Sequence, residues 1–204
     1  MADSHQQLTG RVDELRLALL EKENMHNLAF LSGVEFHGAG TGGFSLPLFG
    51  RTVNVSYPDL VACDTQTGLS LPVATQALLL YYLNTADGTP PEGRWIAFAE
   101  LSDGRFYNQA FQGYTGQELA RRFGNDLTAF EWAASKLDGM KLGYDDAAFA
   151  FHILPRVVLA VVYHLGEEDF PPTCQILFDT SASHYLPTDV CAILGSMLTR
   201  KLLV

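Results

Sequence analysis

Leu8, Val12, Leu15 and Leu19 recur at helical spacing with charged residues between them, and predict a helix from residue 5 to about 32. Asn24, Asn27 and Ser32-Gly33 weaken the pattern, so a break is expected after Glu23. A glycine-rich stretch, Gly38 to Gly43, then leads into two short apolar runs, Phe44 to Phe49 and Thr52 to Val55, separated by Gly50-Arg51. These predict two strands joined by a tight turn. Pro47 places the first at a sheet edge, because proline has no amide for the ladder. Pro72 suits a helix start, and Val73 to Leu83 is apolar on nearly every face, which predicts a buried central helix.

Asp87-Gly88 and Pro90-Pro91 end that helix, and Trp95 to Phe98 is a short extended segment. Thr115-Gly116-Gln117-Glu118 matches a capping box, and Asn125 or Asp126 caps a further helix to about Leu137. Ala147 to Ile153, Arg156 to Leu165 and Cys174 to Phe178 are β-branched or aromatic runs, expected as antiparallel neighbours. Val190, Ile193, Leu194, Met197 and Leu198 form one apolar helix stripe, with Thr188 as its expected cap. Helices and strands come in blocks, which favours α+β over a doubly wound sheet. The expected organisation is an N-terminal helical arm, residues 1–24. A single α+β domain, residues 25–204, follows it, with a mainly antiparallel sheet packed against helices.

The charge balance narrows the partners. Thirteen basic against 23 acidic residues give a net charge of -10, which repels phosphate backbones and anionic headgroups. Neither nucleic acid nor a membrane is an expected partner. The three cysteines, Cys63, Cys174 and Cys191, are widely spaced and fit a reducing compartment. The N-terminal residues show no secretory pattern, and the longest apolar runs are too short to span a bilayer. A cytoplasmic protein is expected.

Candidate chemistry gathers in the run Phe178 to Asp189, where an apolar strand breaks into short polar residues, a histidine and a tyrosine. Asp179, Ser181 and Ser183 either stop the strand by bonding the local backbone or touch a ligand. His184 and Tyr185 are two large polar-tipped rings side by side, more than a turn demands. Arg156, at the head of an apolar strand, either pairs with Asp145, Asp146 or Glu168, or grips an anion. The expected ligand-binding set is therefore His184, Tyr185, Asp179, Ser181, Ser183 and Arg156. No catalytic residue and no cofactor is assigned. Gly38, Gly40 and Gly43 spell G-x-G-x-x-G, but the proline-bearing run behind them is a poor helix start, so a dinucleotide reading is rejected. Metal-ligand spacing is absent, and three cysteines cannot complete a four-thiolate cluster. His152, His164, Cys174, His184 and Cys191 would meet only if the fold converged them.

Several phrases occur in order: Leu48-Phe49-Gly50-Arg51, Leu78 to Leu83, Trp95 to Leu101, Glu168-Asp169-Phe170-Pro171, and Phe178 to Pro187. Together they resemble the family called domain of unknown function 3786, over roughly residues 25 to 202. The resemblance implies anaerobic bacteria and archaea, with relatives joined to, or encoded near, iron–sulfur and corrinoid-dependent methyl-transfer proteins. Residues 1–204 show no cysteine-rich stretch of that kind, so an iron–sulfur role of its own is not expected, and no catalytic residue carries over. The expected function is a non-catalytic accessory or ligand-binding module serving corrinoid or one-carbon metabolism, with corrinoid or iron–sulfur proteins as partners. The alternative is an enzyme acting on a small anionic substrate. His184 would then be general acid/base, Arg156 the anion clamp, and Tyr185 or Asp179 the orienting group.

Overall fold

The computed structural model describes residues 2–38 and 42–204. The architecture is α+β, with two antiparallel sheets. Two compact units emerge: Met1–Pro90 with Leu154–Arg156 and His184–Leu186, and Pro91–Ile153 with Val157–Ser183 and Pro187–Val204.

In the first unit, α1 (Ala2–Leu20) lies along α3 (Val73–Thr85). Of the predicted stripe, Val12, Leu15 and Leu19 are buried and Leu8 is half-buried. Polar contacts fix the register: Arg16 Nη2 donates to Gln76 Oε1 at 2.8 Å, and Asn84 Nδ2 to the Leu15 carbonyl at 2.9 Å. The segment expected as an arm is thus packed along the buried helix of its own unit. The break after Glu23 is present. Helix α2 (Met25–Ser32) starts where Asn24 Oδ1 accepts the Asn27 amide at 2.9 Å, and ends at Gly33, whose φ of 67° is the left-handed cap glycine tolerates. Helix α3 is buried along Thr75 to Leu80 and at Tyr82 and Leu83, as its all-round apolar pattern predicts.

Four strands form the sheet of this unit in the order β1 (Glu35–His37), β2 (Gly43–Leu48), β3 (Arg51–Ser56), β4 (Ala62–Asp64). Phe49 and Gly50 join β2 to β3 with φ of 51° and 73°, both positive as a two-residue hairpin turn requires. Strand β2 is not an edge strand, contrary to the inference from Pro47. Its pairing with β1 stops at Ser45, however, so at Pro47 only β3 lies alongside and no amide is missed. Gly40 lies outside the described residues. Gly43 opens a strand rather than a helix, so the glycine run has no helix N-terminus behind it.

The sheet of the second unit runs β5 (Trp95–Ala97), β9 (Thr173–Asp179), β8 (Val157–His164), β7 (Ala147–Leu154), β6 (Met140–Leu142). The three predicted strands are therefore adjacent, and β8 is buried at every position from Val157 to Tyr163. Helices α4 (Gly104–Tyr114), α5 (Gly116–Phe123), α6 (Leu127–Lys136) and α7 (Thr188–Leu202) complete the unit. Phe98 stacks on Phe111 with centroids 4.2 Å apart, and Phe178 closes the cluster 5.9 Å from Phe111. Gly195 on α7 makes room for the Phe111 ring, which a Cβ there would approach to 2.7 Å.

Two predicted caps differ. The Thr115 hydroxyl donates to the Phe111 carbonyl at 2.5 Å instead of capping α5, and Glu118 pairs with Arg121. Thr115 is buried at the α4–α5 junction, where the orphan carbonyl of α4 competes for its hydroxyl. Thr188 is the first residue of α7, not its cap, and donates to the Ser102 carbonyl at 2.6 Å. Asp126 does cap α6, accepting the Ala129 amide at 2.9 Å.

Gly116 meets β9 so closely that an added Cβ would stand 2.0 Å from the Cys174 carbonyl oxygen, whereas one at Gly113 would meet only Gln117 Oε1 at 4.0 Å. Gly116→Ala should cost about 1 to 3 kcal/mol by overpacking. Gly113→Ala should be neutral or stabilising by up to about 1 kcal/mol, through helix propensity. Urea unfolding of both variants checks the close approach; equal effects would refute it.

Candidate functional site

The polar run after β9 divides between the two units. Its His184 and Tyr185 belong to the first unit, with Arg156, and there the structure adds Asp87 and Thr89. The His184 ring sits at 46 % side-chain exposure with Nδ1 2.7 Å from Asp87 Oδ2 and 3.3 Å from Thr89 Oγ1. Asp87 also accepts the Thr89 amide at 2.9 Å through Oδ1, closing the turn that ends α3. Its carboxyl is lowered to about 2, first by the Thr89 amide and then by His184. Among the described residues Nε2 of His184 has no hydrogen-bond partner. The ionised Asp87 carboxylate can only accept, so the hydrogen of this contact lies on Nδ1.

Tyr185 is buried rather than presented to a ligand. Its hydroxyl donates to the Thr89 carbonyl at 2.5 Å, and the Thr85 hydroxyl donates to the Tyr185 carbonyl. Its ring lies 5.4 Å from that of Tyr82. Burial pushes the Tyr185 phenol up, while the charge of Arg156 opposes that shift. The Arg156 amide donates to the Tyr82 hydroxyl at 3.1 Å. Its side chain runs past Gly33, where a Cβ would stand 3.2 Å from Arg156 Nε. That puts a cation at the C-terminal end of α2, which the helix carbonyls favour.

Asp179 and Ser181 lie in the second unit and are buried. The Asp179 carboxylate accepts the amides of Gly93 at 2.7 Å, Ser181 at 2.9 Å and Glu92 at 3.1 Å. Burial alone would raise this carboxyl, but the hydrogen bonds from Ser181, Glu92 and Gly93 outweigh it and lower it. Asp179 therefore ends β9 and holds the turn that enters β5. Ser183 is exposed. Of the acids expected beside Arg156, Asp146 accepts the Leu165 amide at 2.7 Å, and Asp145 lies 3.7 Å from His164.

Sequence reasoning missed Asp87, which it read only as part of a helix stop, and Thr89, which it did not single out. The local signal was Asp87-Gly88-Thr89, an Asx turn that leaves the second carboxylate oxygen unused, but no spacing ties it to residue 184. Among the described residues no three histidine, cysteine or acidic side chains gather as a metal-holding group. Burial pushes the Cys174 thiol far up and the Cys191 thiol up to about 12, so both are held as neutral thiols.

Two measurements follow from these environments. Iodoacetamide should modify partly exposed Cys63 in the native protein and reach Cys174 and Cys191 only on unfolding, as read by mass spectrometry; native modification of all three would contradict their burial. The folded carboxyl of Asp87 lies below its ordinary value of 3.8, so its stabilising contribution is complete above about pH 4 and lost as pH falls towards about 2. The stability difference between wild type and Asp87→Asn should be flat above pH 5 and vanish below about pH 2; a constant difference would reject the lowered Asp87 carboxyl.

No helix among the described residues is long and apolar enough to cross a membrane. No curated protein and no solved structure matches the chain. The family described as domain of unknown function (DUF3786) matches residues 24–201, nearly the whole sequence, and the chain belongs to that family.

Proposed function

We propose that this protein is a non-catalytic, cytoplasmic accessory module that binds a ligand or partner through the surface around His184. The observation that carries this reading is that Asp87 and Thr89 both reach the same ring nitrogen of His184. A nucleophile–base–orienter set needs the nucleophile on one ring nitrogen and the orienting carboxylate on the other. Here the hydroxyl and the carboxylate compete for Nδ1. The other polar groups of the run hold backbone: Asp179 three amides, Tyr185 a carbonyl. What is left at the surface is an oriented imidazole suited to recognition. Service to corrinoid or one-carbon metabolism in anaerobes, beside corrinoid or iron–sulfur proteins, draws its support from the company kept by the relatives this chain resembles.

The enzyme reading keeps one observation in its favour. A carboxylate-oriented histidine with Nε2 unengaged is what a general acid/base on a small anionic substrate would use. The two readings part on His184→Ala. An exposed recognition residue should leave unfolding stability within about 0.5 kcal/mol of wild type. Anoxic titration with hydroxocobalamin, followed by visible absorption, should show saturable binding that the variant weakens. Absence of binding to wild type, or equal binding to the variant, would remove the corrinoid-linked reading. Hydrolysis of p-nitrophenyl phosphate or p-nitrophenyl acetate that disappears in His184→Ala would establish the enzyme instead.

A further inference from the structure

In the second unit, a groove where α5, α6 and α7 meet carries chemistry that the His184 surface does not use. Phe123, Ala133 and Leu202 form its buried apolar floor, and Trp132 stays 59 % exposed beside them. Exposed Arg122 and Lys136 line it, with Lys201 alongside. Lys136 Nζ stands 3.5 Å from the Trp132 ring centroid, and the Arg122 guanidinium 6.0 Å from that of Phe123. Among the described residues no carboxylate pairs with Arg122 or Lys136, although Arg121 pairs with Glu118 and Lys141 with Glu131. Cations held on aromatic faces over an apolar floor are complementary to an anion that brings an apolar body.

We propose that this groove binds a small organic anion. Its aromatic or aliphatic body lies on Phe123, Ala133 and Leu202 against Trp132, and its carboxylate or phosphate is held by Arg122 and Lys136. The planar guanidinium matches a two-oxygen anion, and the ammonium supplies a point charge beside it. Contact with the apolar floor gives the body its preference over water. This goes beyond the proposed function and concerns a separate surface, so failure of either leaves the other standing.

The test follows the Trp132 indole N–H by NMR in the full chain, with Trp132→Phe to assign it. Phenylacetate and benzyl phosphate are the probes; benzyl alcohol and inorganic phosphate are the controls. At least one anionic probe should shift the Trp132 signal saturably. Each control should bind about tenfold more weakly or less, as should the Arg122→Gln/Lys136→Gln variant, since each lacks the charged contact or the apolar one. Both substitutions are at exposed positions, so thermal unfolding should be unchanged. No saturable shift with either anion, equal binding of benzyl alcohol or of phosphate, or undiminished binding by the double variant would each overturn the proposal.

Discussion

One phenolic oxygen ties the first unit together. Tyr82 is fully buried on α3, so its hydroxyl must find partners or cost about 1 to 3 kcal/mol. It donates to the Ser32 carbonyl at 2.5 Å and accepts the Arg156 amide at 3.1 Å. Ser32 is the last residue of α2, whose carbonyls have no helical donor of their own, and Arg156 sits in the turn between β7 and β8. The same oxygen thus satisfies two backbone groups. Tyr185 packs against this ring, and its own hydroxyl and carbonyl are fixed by Thr89 and Thr85. His184 inherits its position from that arrangement, because its neighbour in sequence has no freedom to move.

The second unit uses the same device. Tyr163, buried on β8, donates to the Gly124 carbonyl at 2.8 Å, just past the end of α5, and the Asp179 carboxylate gathers three amides where β9 stops. In both units the polar tip of a buried side chain completes the unpaired backbone at the end of an element. Burial decides which polar residues of the 178–189 run are free to act: Asp179, Ser181 and Tyr185 sit inside, and His184 and Ser183 outside.

Periodicity read well because it reports burial. The stripe of α1, the all-round apolar α3, the break at Asn24 and the three strands between residues 147 and 179 were all legible. Caps read less well, because a cap is a competition. Asp126 wins the Ala129 amide, but Thr115 and Thr188 are drawn to carbonyls of earlier turns that a linear motif does not include. Pro47 misled by one strand: what proline needs is a missing neighbour at its own position, not along the whole strand. His184 was legible as an unusual residue, but Asp87 was not, being 97 positions away.

The net charge of -10 bears differently on long-range and short-range recognition. At physiological ionic strength, charges more than about 8 Å apart are largely screened, so the acidic excess acts mainly on the approach of an anion. Contacts made within a few ångströms survive that screening. Arg122 and Lys136, each lying against an aromatic ring with no carboxylate paired to it, keep their local attraction in a chain whose overall field opposes it. An anion without an apolar body meets the repulsion and only a hydrated pair of cations. One with an apolar body also covers the exposed Trp132 ring, a gain that salt does not screen. The repulsion falls on organic and inorganic anions alike, so it is the apolar contact that favours the organic ones at that groove.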